Sequence, residues 1–163
     1  MTEPGEKAAE AYVLCRAMLE DAAYAVHIHR HPDLARVWLD RHEDSSSMKT
    51  QKDAFWHRKV LESVTAANVH AGERFEKLYQ LTIDFGGHPN ERSITGNMKI
   101  VDEPGKRTML TIMQHEDGIQ LDHALKTVAR CGMTSLEMLQ AVFPARFELL
   151  GISAAMLELR KGL

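Results

Sequence analysis

The stretch EKAAEAYVLCRAMLEDAAYAVHIHR, Glu6–Arg30, decides the fold. Ala8, Tyr12, Cys15, Leu19, Ala22, Ala23 and Val26 recur at spacings of three and four, the period of a helix that turns one face to a core. Val13, Leu14, Met18, Ala25 and Ile28 widen the apolar arc beyond a single stripe, so the helix is expected to be contacted from two sides or to lie centrally in a bundle. Charges on such a helix need partners, and Arg16 and Glu20 stand one turn apart on a shared face.

Working outward, His31-Pro32-Asp33 interrupts the helix, because the residue before a proline is pushed out of helical geometry. Leu34, Val37 and Trp38 mark a short second helix, followed by the polar connection Arg41–Ser47. Its serines can cap a helix expected over Met48–Val69, with Phe55, Leu61 and Val64 on the core side. Gly72 and Glu73 suggest a break and a fresh start. Phe75, Leu78, Tyr79 and Thr82 then carry the pattern until Gly86 supplies a left-handed stop. Met98–Val101 and Thr108–Met113 flank a turn at Asp102–Arg107, a hairpin or loop excursion near residues 97–113. Helical pattern resumes with Ile119, Leu121, Leu125 and Val128 and is expected to end at Cys131-Gly132. Thr134 or Ser135 would cap the next helix, Pro144 would kink or restart it, and Phe147–Leu159 would close the chain around a tolerated Gly151.

The expected fold is therefore all-α, a single-domain bundle of about five to seven helices spanning residues 1–163. A chain of 163 residues with 44% apolar content can bury one proper core. A net charge of −3 and a pI near 6.3 give no global basic field of the kind a nucleic-acid-coating protein needs. Cys15 and Cys131 lie in apolar helical stretches and read as reduced core residues. Met1–Glu6 lacks a basic region followed by an apolar run, and no uncharged apolar stretch reaches membrane-spanning length, so a soluble cytoplasmic protein without membrane contact is expected.

Chemistry concentrates in the decapeptide LTIDFGGHPN, Leu81–Asn90, where a helix stops beside acid, imidazole and amide groups. Asp84 lies in the last turn, against the helix dipole, and needs a donor or a cation. Pro89 directs the exit and Asn90 can cap a following turn, which leaves Asp84 and His88 as the chemically interesting pair. His27 and His31, four apart, and His70 and Glu73, three apart, have spacings that suit a metal. Neither has the HExxH pattern and no cysteine pair supports them, so neither a metal site nor a cofactor is expected. No glycine-rich phosphate loop, nucleophile elbow or dinucleotide fingerprint is present.

Three segments carry a resemblance: Arg16-Ala17-Met18-Leu19-Glu20, then Asp33–Asp44 (DLARVWLDRHED), then the decapeptide. Together, in this order over about the first 95 residues, they resemble a bacterial family of all-helical proteins with R-x-x-L-E and L-T-x-D-F-G-x-H-P-N motifs and no established activity. The resemblance implies that Arg16, Glu20, Arg41, His42, Asp84, His88 and Asn90 belong to one set gathered around the first helix, a polar pocket of a homodimeric module for a small anionic ligand or a protein partner. Related helical families are grouped with HEPN ribonucleases, whose motif is an arginine, four to six residues and a histidine. Arg36-Val37-Trp38-Leu39-Asp40-Arg41-His42 meets that spacing. In the alternative reading His42 would act as acid or base on an RNA 2′-hydroxyl while Arg36 steadies the phosphate, without a metal, in a toxin or phage-defence role. The motif falls at the second helix, whereas those nucleases place it near the fourth.

Overall fold

The structure, a computed structural model, describes residues 8–87, 98–111 and 119–163. Helix α1, Ala8–Arg30, runs through the middle of the core. It buries the face read from the sequence: Tyr12, Cys15, Leu19, Ala22, Ala23 and Val26. Three further helices cover that face, α4 (His57–Ala67), α5 (Val69–Thr82) and α6 (Ile119–Val142). Val60, Val64, Phe75 and Met138 are their innermost side chains. Each such fully buried side chain contributes roughly 1.5–3 kcal/mol relative to exposure, so this apolar cluster, in which Cys15 and Cys131 are free thiols, holds the bundle.

The direction of each neighbour follows from its contacts with α1. Tyr12 meets Thr127, Cys15 meets Cys131, and the Ser135 hydroxyl donates to the Met18 carbonyl at 3.4 Å, so residue numbers rise together and α1 and α6 run parallel. Helix α5 runs the opposite way, with Tyr79 beside Arg16 and Glu20 and Phe85 beside Tyr12. Between α1 and α4 lie the short helix α2 (Leu34–Leu39), a 3-10 turn at Asp40–His42 and α3 (Ser45–Ala54). The excursion is an antiparallel hairpin of β1 (Met98–Glu103) and β2 (Lys106–Thr111), closed by Pro104 and by Gly105 at φ 81°. Two short helices, α7 (Pro144–Leu149) and α8 (Ile152–Leu159), pack Phe147 and Met156 against Met133 as a satellite of the main core.

The all-α bundle with a small hairpin is as the sequence reading has it; several boundaries move. The helix expected over Met48–Val69 is two, α3 and α4, separated at Phe55-Trp56. The cap of α3 is Asp44, which accepts from Ser47 N at 2.7 Å, and the serines are the first helical residues. The break expected at Gly72 lies at Asn68, whose side chain accepts from Ala71 N at 3.1 Å. Gly86 does not stop the chain: Ile83–Gly87 continues as a wider π-helical turn. Cys131-Gly132 does not end a helix either, because the core contacts of Cys131, Met133 and Met138 outweigh one poor helix former. Conversely Gly151, at φ 67°, divides the last segment, a conformation open to glycine at no steric cost.

Gly72 is required by close approach. A β-carbon there would stand 2.3 Å from Thr65 Oγ1 and 2.9 Å from Thr65 Cα, so the two helices meet backbone to backbone. Gly72→Ala gains about 1 kcal/mol of helix propensity but incurs overpacking of roughly 1–3 kcal/mol or more, since backbone cannot give way. The variant is expected to lower the urea midpoint, whereas Gly132→Ala, with open space around it, is expected to raise stability by about 0.5–1 kcal/mol.

His27 joins three elements. Its Nε2 lies 3.2 Å from the Ala54 carbonyl, which can only accept, so Nε2 carries the proton and Nδ1 accepts from the Ser63 hydroxyl at 2.7 Å. Burial pushes the imidazole below its ordinary value of 6.5; the Ala54 bond opposes that shift, while His31 and Lys59 reinforce it. Between the folded value and 6.5 the unfolded chain binds the extra proton, so His27's contribution is complete above 6.5 and declines as the pH falls through that range. Urea unfolding at pH 7.5 and 5.5 checks this: wild type should lose more stability across the interval than His27→Gln.

Candidate functional site

Arg16 and Glu20 form the expected i, i+4 pair, Arg16 Nε donating to Glu20 Oε1 at 3.1 Å. A third member comes from α5. The Tyr79 hydroxyl accepts from Arg16 Nη2 at 3.1 Å and donates to the same Glu20 oxygen at 3.1 Å, closing a triangle of hydrogen bonds. The arrangement is half-buried, each charged side chain keeping 29% of its surface accessible. Burial works against the Arg16 charge, but the interactions with Glu20 and Tyr79 more than offset it and hold its pKa above the ordinary value.

His57, at the first turn of α4, lies flat on Tyr79 with ring centroids 4.2 Å apart. Its Nε2 is 2.7 Å from Glu76 Oε2; an ionised carboxylate only accepts, so Nε2 bears the proton. The close α4–α5 crossing at Gly72 brings these two side chains together. Arg16, Glu20 and Tyr79 thus lead into His57 and Glu76 along one continuous polar seam.

The seam borders a cleft of about 320 Å³. Tyr24 and Phe55 form an aromatic wall, in edge contact at 5.2 Å, and Trp56, Tyr79 and His57 contribute further rings. Gln51 and Lys52, from the last turns of α3, also line it. Lys52 has no carboxylate partner among the described residues.

The remaining residues expected to gather here are divided. Arg41 places its guanidinium 4.3 Å over the Trp38 ring and donates to the Trp38 carbonyl at 2.6 Å; Trp38 in turn packs on Tyr24 and Phe55. Arg41 therefore lies behind the aromatic wall and does not line the cleft. His42 is exposed in the 3-10 turn and Arg36 is paired with Asp40 at 2.5 Å on the outer side of α2; neither lines the cleft. Asp84 accepts from Gln80 Nε2 at 3.2 Å, and its turn docks on α1 at Tyr12, one helical turn before Arg16. His88 and Asn90 lie outside the described residues. Among the metal candidates, His27 is committed to Ser63 and Ala54, and His70 faces only Glu73 at 3.6 Å. No group of three or more ligating side chains occurs among the described residues.

Sequence reading missed Tyr79, Tyr24, His57, Glu76 and Lys52. Tyr79 reads as core by spacing, and His57 and Glu76 are 19 positions apart with no local pattern joining them. The one available signal was chemical: a buried Arg–Glu pair demands a further donor or acceptor, and a tyrosine on an opposing helix face is the residue type that can be both.

No protein-family model, curated protein or solved structure matches this chain.

All three tyrosines are held protonated. Burial raises each; Tyr24 is pushed up to about 12, with Glu20 and Tyr79 adding to burial and Arg16 opposing, and Tyr12 and Tyr79 also lie above 10.0. The folded state keeps protons that the unfolded chain releases, so stability falls as the pH rises past 10.0. Phenolate absorbance near 295 nm should stay well short of half-maximal at that pH in the native protein and appear fully on addition of denaturant.

Proposed function

We propose that this chain is a ligand-binding helical module whose cleft between α1, α3, α4 and α5 takes a small planar organic anion. One observation carries the reading: the Arg16–Glu20–Tyr79 triangle is built on the wall of an aromatic-lined cleft of about 320 Å³, within the roughly 300–1,000 Å³ typical of small-molecule sites. A purely structural staple needs no cavity beside it. Arg16 Nη1 takes no part in the triangle and Lys52 is unpaired, so two cationic donors are available to an acid group while Tyr24, Trp56 and the stacked His57–Tyr79 pair accept a ring.

Both phenols stay neutral, Tyr79 donating its proton to Glu20, and the histidine that lines the cleft is tied to Glu76, so the geometry favours recognition over proton transfer. The cleft is also formed by two elements, α1 and α5, that belong to the core, which gives it rigid walls.

Titration of the intact protein with benzoate and indole-3-acetate, followed by tryptophan fluorescence and calorimetry, tests this. Saturable binding is expected, with Arg16→Gln and Lys52→Gln each weakening it about tenfold, the scale of one lost charge-assisted hydrogen bond. Absence of binding by either acid, or equal binding by both folded variants, rules the reading out.

A further inference from the structure

Helix α5 has a second cavity on its other flank, of about 470 Å³, between α5, α6 and the C-terminal 3-10 turn Arg160–Gly162. Its floor is the Glu137 carboxylate, whose side chain is only 7% exposed. Arg74 from α5 and Arg160 from the C-terminal turn hold its two oxygens, one each. That pairing satisfies the carboxylate twice and leaves a surplus of positive charge, because Lys77 and Arg130 also line the cavity and pair with nothing among the described residues. Four cations face one anion in a concave site.

Arg74 is held firmly at the cavity edge. Arg74 Nε is buried and has no hydrogen-bond partner among the described residues, although the same guanidinium is bound to Glu137 through Nη2. Buried donors are ordinarily satisfied, and a guanidinium fixed at one end by a carboxylate presents its remaining N–H groups in a set direction. Leu78, Leu81 and Met133 supply an apolar wall beside the cations, and Thr134 and Leu163 complete the lining.

We propose that this cavity binds a monomeric amphiphilic anion, an acid headgroup on Arg74, Lys77 and Arg130 with a short unbranched apolar chain along Leu78, Leu81 and Met133. A carboxylate headgroup and a phosphate headgroup share this chemistry. A bare inorganic anion would leave the apolar wall uncovered, and an uncharged apolar ligand would leave the surplus cations unmatched. The site uses the Arg74, Lys77, Leu78 and Leu81 flank of α5, opposite the Phe75, Glu76 and Tyr79 flank that faces the aromatic cleft, and so stands or falls independently of that cleft.

The experiment is calorimetry of the intact chain with decanoate, decyl phosphate, acetate and inorganic phosphate, with phosphatidylglycerol vesicles as a separate arm. Decanoate or decyl phosphate is expected to bind at least tenfold more tightly than its short counterpart. Arg130→Gln, which removes an exposed and unpaired cation, should weaken both chain lengths about tenfold. Leu81→Ser should weaken only the long-chain ligands, and Arg16→Gln should change neither. Equal affinity for acetate and decanoate, binding to vesicles but not to the monomeric amphiphiles, or indifference to Arg130→Gln would each overturn the proposal.

Discussion

A β-carbon at position 72 would collide with the backbone of Thr65, so α4 and α5 cross at a distance that only glycine permits, and much of the molecule's polar organisation follows from that crossing. It lets Val60, Val64, Phe75 and Leu78 converge on α1 as one apolar layer. The same crossing sets His57 flat on Tyr79 and within hydrogen-bonding reach of Glu76. A wider crossing would open a gap in the core and separate these rings, because close-packed interiors do not stretch continuously. Packing and site geometry are therefore set by one contact.

The Arg16–Glu20 pair shows how the central helix carries charge within the bundle. Taking both charges out of water costs several kcal/mol per ion unless hydrogen bonds replace the lost hydration. Tyr79 supplies one bond to each partner, and partial exposure lets solvent supply the rest. The tyrosine is suited to this because its hydroxyl is donor and acceptor at once, and its raised pKa keeps the proton in place. Full burial would turn the trio into an internal staple; full exposure would make it worth little. Its intermediate position, on a cleft wall, is what makes it available to a ligand.

How much of this was legible follows the range of the interactions. The buried face of α1 and the Arg16–Glu20 pair are set by i, i+3 and i, i+4 relations, and both read directly from spacing. The hairpin, read as one of two possibilities beside a loop excursion, rests on a turn at Pro104-Gly105 that is likewise local in sequence. Helix boundaries at Gly72, Gly86, Cys131-Gly132 and Gly151 were harder because a glycine serves three opposed purposes here: close approach at 72, continuation through 132, and a left-handed break at 151. Only tertiary context distinguishes them. The cleft depends on contacts between α1 and α5 some 60 positions apart, such as Glu20 with Tyr79 at a separation of 59, and no local pattern encodes such a pairing. Arg41 illustrates the converse: its position near the aromatic wall is real, but Trp38 stands between it and the cleft.

The two polar clusters beside α5 differ in charge balance, and that difference governs what each can attract. Around Tyr79, Arg16 is paired with Glu20 and the Glu76 carboxylate accepts from His57, leaving Lys52 as the cation without a carboxylate partner among the described residues, so selectivity rests largely on ring contacts and directed hydrogen bonds. Around Glu137, the cations outnumber the carboxylate, in a chain whose formal net charge is −3. On a chain of net negative charge, this concavity stands out as a local concentration of positive charge open to an anion. In the proposed complex a local positive site on a net acidic chain would orient an anion as well as attract it, drawing the acid group to Arg74, Lys77 and Arg130 and the apolar remainder to Leu78 and Leu81.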